Sequence, residues 1–285
     1  ATAILWKTIY QDLGYKNCQP FIPSRFDHGY GLSTESINSI IQKSLPAQAD
    51  AKRSTLNALL ITVDCGITAA EAVEYAKEKG FEVLVVDHHV RSEKLPQCEI
   101  FWSEKMCAAG MSWVLSQSLE HPTGEYLDLA ALATIADLQP LTGFNRSLVK
   151  FGLEELNRTQ NLGLNTLIKS GGIEGKKIGT FEVGWVLAPR LNASGRLESA
   201  LESLRLLCTN DPEQALSIAT NLNLINSQRQ DLTRSMVELA REQLTIDPST
   251  SLRAGNSQLT KISVVAHEQF HEGIIGLVAG KLVQE

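Results

Sequence analysis

The chain has 285 residues, a formal net charge of −6, 43% hydrophobic residues and 20% charged residues. That composition supports a packed core and excludes a disordered tail, a collagen-like repeat and a disulfide-stapled miniprotein. No apolar run approaches the roughly 20 residues a bilayer-crossing helix needs, and the acidic balance leans against a strongly basic nucleic-acid domain or an anionic-membrane binder.

In chain order, residues 2–13 read as a helix with Ile4, Leu5, Ile9 and Leu13 on one face and Gly14 as its C-cap. No N-cap residue precedes it, so the chain is expected to start inside an element. Residues 19–23 read as a short extended run, followed by a polar Gly/Arg-rich loop through Gly31. Ser33 is the expected N-cap of a helix reaching Lys43, and a polar stretch, 46–55, follows it. Residues 58–63 form a near-continuous apolar run, the pattern of a buried parallel strand. Ala69, Ala72, Val73 and Ala76 then mark one face of a helix closed by Gly80, and 81–86 is a second buried strand. This is a βαβ unit with a right-handed crossover.

Helices are expected near 109–119, 127–136 and 147–157, and 171–179 reads as a Gly/Lys-rich surface loop. Asp211-Pro212 starts a helix with nothing to break it before Asp247-Pro248, a run of about 50 Å. After a polar stretch, 248–260, a strand is expected at 262–266, and Gly273-x-x-Gly276 opens an apolar helix. The expected architecture is α/β: a mostly parallel sheet flanked by helices (1–210), a long connecting helix (211–247), and the beginning of a second α/β domain (248–285). Five cysteines (Cys18, Cys65, Cys98, Cys107 and Cys208) contain no C-x-x-C pair. A disulfide framework or structural zinc site is not expected, no signal-peptide pattern opens the chain, and the reading is a cytoplasmic protein.

The chemistry gathers at the ends of the two strands. Asp64 follows the first, and Asp87-His88-His89 follows the second, one crossover later. Ligands of open α/β sheets bind at the carboxyl ends of the strands, so both clusters converge on one edge. Carboxylates and imidazoles together suit Mn²⁺ or a similar divalent cation, whereas a lone Asp after a strand more often caps the next helix. Asp137 ends the helical stretch 127–136, on the unfavourable side of the helix dipole. A cation would partner it there; the alternative is an exposed Asp opening a turn before Pro140.

Val63-Asp64-Cys65-Gly66, Asp87-His88-His89 and Ile135-Ala136-Asp137 resemble motifs II, III and IV of the DHH phosphoesterase superfamily. Pro23-Ser24-Arg25-Phe26-x-x-Gly29-Tyr30-Gly31-Leu32 and Pro189-Arg190-Leu191-Asn192-Ala193-Ser194-Gly195-Arg196 resemble loops of its RecJ-type members. So does Leu222-Asn223-x-x-Asn226-x-x-Arg229-Gln230 in the long helix. His271-Glu272-Gly273-Ile274-Ile275-Gly276-Leu277-Val278-Ala279 resembles the opening of the associated DHHA1 domain.

The resemblance implies a single-strand-specific exonuclease that degrades DNA from the 5′ end to mononucleotides with two Mn²⁺ or Mg²⁺ ions. By position, Asp64 would bridge the metals, and His88 and Asp137 would ligate the second. His89 would meet the scissile phosphate or an adjacent ligand, and Asp87 would orient a neighbouring group. Arg25, Arg190 and Arg196 are the phosphate-holding candidates, since guanidinium groups grip phosphate bidentately. Asn192 either fixes its loop or contacts substrate. Gly273 and Gly276, next to His271, either let backbone amides approach an anion or allow close helix packing. Trp102 and Trp185 read as packing residues, and His267 and His271 are not expected to form a metal pair. The implied partners are a single-stranded DNA 5′ end and repair or replication proteins, with no membrane, and the chain is expected to act as a monomer.

Three departures accompany the resemblance. The Asp-rich motif I that the superfamily places before a helix like 2–13 is absent, so ligands for the first metal are expected to precede Ala1. The stretch 96–110 is shorter than usual, and the chain is expected to stop just inside the second domain, before any oligonucleotide-binding domain. Within the enzyme class the rival is a nanoRNA or cyclic-dinucleotide phosphodiesterase. Outside it, the rival is an inactive single-strand-binding scaffold, which should have lost ligands that Asp64, His88 and Asp137 here retain.

Overall fold

A computed structural model describes residues 1–24, 27–29, 31–44, 57–119, 125–197, 199–246 and 264–284. Arg25 and the polar stretches expected at 46–55 and 248–260 lie outside the described residues. The chain opens with α1 (Thr2–Trp6), which widens into a π-turn over Lys7–Asp12 and stops at Gly14, whose φ of 78° is open to glycine. Ile4 and Leu5 are buried, as their spacing requires. Residues 19–23 lie outside regular structure. Helix α2 (Thr34–Ser44) begins where Ser33 predicts it, with the Ser33 hydroxyl accepting from the Ser36 N–H at 3.1 Å.

Strand β1 (Ala58–Val63), helix α3 (Ala70–Glu78) and strand β2 (Phe81–Asp87) form the expected βαβ unit. The strands are parallel, in register from Ala58↔Phe81 to Val63↔Val86. A third parallel strand, β3 (Glu99–Trp102), pairs with β2 from Leu84↔Glu99 to Asp87↔Trp102 and completes the order β1-β2-β3. β1 is less buried than its apolar run suggests, with Leu59 59% exposed, because it is an edge strand among the described residues.

Helices α4 (Ala108–Gln117), α5 (Leu127–Ala136) and α6 (Gly143–Leu156) follow, then α7 (Leu162–Ser170), which had no clear sequence signal. α5 and α6 approach so closely that a Cβ on Gly152 would lie 2.4 Å from Ala131 Cβ and 2.6 Å from the Leu127 carbonyl. The loop 171–179 is irregular, as expected, and is pinned by Asn157, whose side chain pairs with both the N–H and the carbonyl of Ile178 at 2.8 Å.

A nearly continuous helical run comes next: α8 (Thr180–Glu182), a π-turn over Val183–Leu187, and α9 (Ala188–Leu197). The sequence reading of 189–196 as a loop is therefore corrected. Pro189 cannot donate to the carbonyl four residues back and its ring would collide there, and the wider π-turn immediately before it relieves both problems. The Arg190 guanidinium donates to the Val186 carbonyl within this turn at 2.8 Å.

Helix α10 (Leu201–Cys208) leads to α11 (Pro212–Ile246), 35 residues long, and α12 (Ile275–Gln284) ends the described chain. The strand expected at 262–266 is absent at 264–266, and its first two residues lie outside the described ones.

Three buried clusters result. The largest is helical, joining Ile4, Leu132, Leu164, Leu187 and Leu206 to Ala219 and Leu222 of the first half of α11. The second packs α2 and α3 on the sheet through Ile37, Val73 and Val85. The third joins Met236, Val237 and Ala240 of the second half of α11 to Ile274 and Val278. No described helix is long and apolar enough to cross a membrane.

Candidate metal centre

The parallel register decides where the polar residues emerge. Val63 pairs with Val86, so the next residues, Asp64 and Asp87 (the last residue of β2), stand side by side at the sheet's carboxyl edge. The ladder extends one step further, with the Asp64 N–H donating to the Val86 carbonyl at 3.0 Å. There the chain turns sharply: Asp64 has a φ of 64°, and Gly66, with a φ of 109°, has no room for a Cβ, which would lie 2.7 Å from the Thr62 hydroxyl.

Asp87 is 1% exposed and acts inward. Oδ2 accepts from the Ile67 N–H at 3.0 Å, while Oδ1 accepts from the His88 N–H at 2.8 Å and from His89 Nδ1 at 2.7 Å. Burial pushes this carboxyl up, but the Ile67 N–H, His89 and the neighbouring backbone donors outweigh it and hold the pKa below the usual range. Partial burial in turn opposes protonation of His89, and the hydrogen bond and charge of Asp87, backed by Asp64 and Asp137, more than reverse it. With Nδ1 fixed, His89 turns Nε2 away from Asp87. The Trp102 indole N–H donates to the His89 carbonyl at 2.8 Å and secures the backbone here, with Arg91 stacked on its ring at 3.6 Å. Burial, then the charges of Asp87 and Asp64, push the Cys65 thiol up to about 12, which leaves it neutral beside the carboxylates.

His88 lies between two carboxylates. Its Nε2 is 3.0 Å from Asp64 Oδ1, and its Nδ1 is 3.8 Å from Asp137 Oδ2. Gln139 links the second pair: its amide nitrogen donates to Asp137 Oδ2 at 2.8 Å and sits 3.4 Å from His88 Nδ1. One tautomer, with the proton on Nε2, satisfies both contacts of the ring. Asp137 caps the C-terminus of α5 and is followed by Leu138 in a left-handed conformation, φ 55°, with its side chain 88% exposed. The partner that the helix dipole demands is thus supplied in part by Gln139, which sequence reasoning missed.

Donor atoms of Asp64, His88 and His89 all lie within 4.8 Å of one another. One carboxylate and two imidazoles make a donor set suited to a divalent first-row cation, so the residues fit the metal that the motifs imply. Asp137 approaches the group from the far side of the His88 ring.

Beside them opens a cavity of about 220 Å³, lined by Asp64, Asp137, Asn192, Cys107 and a series of alanines that includes Ala133 and Ala136. Leu132 of α5, Leu191 of α9 and Ala1 complete its wall. Of the other candidates, Arg190 turns to α11, donating to Asn223 Oδ1 at 2.9 Å, and burial lowers its pKa. Arg196, one turn after Asn192 on α9, reaches the Gly273 carbonyl at 3.4 Å. A Cβ on Gly273 would lie 2.1 Å from the Arg196 carbonyl, so this glycine serves close packing, while a Cβ on Gly276 would meet nothing within 4 Å. His271 Nδ1 accepts from the Gly273 N–H at 3.1 Å. The expectation that Trp185 is a packing residue is corrected: it is 72% exposed, because the buried side of its helical turn is taken by Val183 and Leu187.

Residues 1–134 match the DHH family, N-terminal domain. The chain is 36% identical over 275 residues to the single-stranded-DNA-specific exonuclease RecJ of Bacillus subtilis, covering 92% of this chain and 32% of that protein. It is 34% identical over 277 residues to that of Thermus thermophilus, covering 93% of this chain and 37% of that protein. The chain therefore spans about a third of the length of these curated relatives. Among solved structures, an exonuclease RecJ bound to manganese superposes with a TM-score of 0.81 at 33% identity, covering 99% of this chain and 69% of the other. A Thermus thermophilus RecJ in complex with Mn²⁺ gives 0.78 at 32% identity, covering 99% of this chain and 39% of the other. Superposing over 99% of its length on a RecJ exonuclease at 33% identity, and matching the DHH N-terminal domain over residues 1–134, the chain belongs to the RecJ-type DHH family.

Proposed function

We propose that the protein to which this chain belongs is a divalent-metal-dependent exonuclease that removes mononucleotides from the 5′ end of single-stranded DNA. The observation that carries this is the convergence of Asp64, His88 and His89 donor atoms at one sheet edge, beside an open cavity, in a chain whose relatives are named single-strand-specific exonucleases. Asp64 is assigned as the ligand bridging two Mn²⁺ or Mg²⁺ ions, and His88 and Asp137 as ligands of the second. When bound, the ions would stabilise charge on the phosphodiester and lower the pKa of an attacking water.

The chain's own residues do the positioning. Asp87 holds His89 through Nδ1 and turns Nε2 toward the scissile phosphate or an adjacent ligand position. Asn192, on the cavity wall, contacts the terminal nucleotide. Arg25, Arg190 and Arg196 hold phosphates; Arg190 keeps N–H donors beyond the two it gives to Asn223 and Val186. His271 and Gly276 are assigned to the substrate path beside Arg196, with Gly273 allowing the close approach that holds them there. The protein is read as a cytoplasmic monomer that works with DNA repair and recombination proteins.

The test is hydrolysis of single-stranded DNA labelled at its 5′ end by the full-length protein with Mn²⁺. Wild-type protein should release labelled mononucleotides, and Asp64→Ala should lower the rate at least a thousandfold. Undiminished activity in Asp64→Ala overturns the bridging assignment. Preference for di- and trinucleotide RNA, or strand binding with no hydrolysis, overturns the exonuclease reading in favour of its two rivals.

A further inference from the structure

Phe181 and Trp185 are 65% and 72% exposed, with ring centroids 6.2 Å apart and planes inclined by 30°. Two adjacent aromatic rings so exposed are a large apolar surface that the described residues do not cover. Their helical run has its inner side occupied, since Val183 and Leu187 are fully buried. The same run continues into the cavity wall: Ala188, Leu191 and Asn192 line the space that also exposes Asp64 and Asp137. Trp185 precedes Ala188 by three residues, about 4–5 Å along a helix axis. On the other side, the 171–179 loop exposes Lys176 and Lys177; the charge of Lys176 also reaches the Glu182 carboxylate, and Lys177 faces water. In a chain of net charge −6, this pairing of aromatic faces with adjacent lysines is the combination that sequence-tolerant single-strand binding uses, bases on rings and phosphates on cations.

We propose that Phe181 and Trp185 form a base-stacking platform for single-stranded nucleic acid, with Lys176 and Lys177 along its backbone, on the approach to the cavity. The proposal rests on the exonuclease reading and adds to it a subsite for nucleotides that have not yet reached the metal centre. It also supplies a physical preference for unpaired strands. Bases stacked within a duplex have their faces covered and offer only their edges, so the rings gain nothing from paired DNA.

The experiment uses the full-length protein without metal and a fluorescently labelled 20-nucleotide single strand, read by anisotropy. Trp185→Ala should weaken binding about tenfold, and Phe181→Ala with Trp185→Ala further, whereas Trp185→Phe should retain most of the affinity. Replacing the bases of the strand's interior with abasic sites should weaken wild-type binding much more than binding by Trp185→Ala. In Trp185→Phe, the quenching of tryptophan emission by the strand should be reduced although binding persists. If wild-type protein binds the strand and Trp185→Ala binds it equally well, the platform is overturned while the exonuclease reading stands. If wild-type protein neither binds nor hydrolyses any single strand, both fail together.

Discussion

Asp87 shapes the candidate centre without facing it. It accepts from the Ile67 and His88 N–H groups and from the backbone N–H and ring Nδ1 of His89, and groups that orient metal-binding histidines govern affinity nearly as strongly as the ligands do. Asp87→Asn should weaken Mn²⁺ binding about 10- to 100-fold in a calorimetric titration, and unchanged affinity would refute the orienting role. Gln139→Leu removes an amide that reaches both Asp137 and His88. It should weaken Mn²⁺ about tenfold while the melting temperature of the metal-free protein stays put, so equal losses in both would mark Gln139 as merely structural. Away from the centre, burial pushes the Cys208 thiol up to about 11, against the opposing charge of Lys7. The neutral thiol favours the folded state below about pH 9, where the unfolded thiol ionises, and that contribution is lost as pH rises toward 11. Denaturation midpoints should fall over this window less steeply in Cys208→Ala than in wild type. At this scale the sequence was informative where chemistry follows a strand: Asp64, Asp87, His88 and His89 announce themselves by type and place. Gln139 does not, because a carboxylate's amide partner has no sequence signature.

Elements were legible in proportion to their length and regularity. β1 and β2 carry six and seven consecutive strand residues and were found to within a residue. β3, with four residues, is too short for alternation to register. The run 189–196 was misread as a loop because Pro189, Asn192, Ser194 and Gly195 are poor helix formers. Tertiary packing overrides them, and the π-turn before Pro189 absorbs the proline. Trp185 was misjudged for a related reason, since the face that a side chain occupies cannot be counted at 3.6 residues per turn through a wider turn. The glycines show the opposite dependence, of packing on sequence. Gly152→Ala would drive a methyl into Ala131 and the Leu127 carbonyl, forcing α6 away from α5, whose C-terminus carries Asp137. Destabilisation of about 1–3 kcal/mol is expected in urea denaturation. A neutral outcome would mean that the two helices separate without cost.

Across the whole molecule, net charge pointed away from nucleic acid because it averages over sites. Asp64, Asp87 and Asp137 contribute negative charge that bound cations would offset, while the positive groups relevant to phosphate are few and placed. The 35-residue α11 spans about 52 Å and is shared between two buried clusters, one with the main helical body and one with Ile274 and Val278. Met236, 1% exposed, lies in the second. Met236→Ala should therefore raise amide hydrogen exchange across 264–284 while leaving α5 and α7 protected. Uniform acceleration throughout would show that the two clusters unfold as one.

The residue-for-residue pairing of β1 with β2 also bears on how such a chain can change over generations. Asp64 and Asp87 emerge together only because six consecutive pairs, Ala58↔Phe81 to Val63↔Val86, keep the two strands in step. Adding or losing one codon within either strand would turn every later side chain to the opposite face, so the aspartates would part even though each is still encoded. Substitutions can accumulate in these strands gradually, one tolerated exchange at a time. Length changes there cannot, and they should be confined to stretches such as 171–179, where no ladder counts the residues.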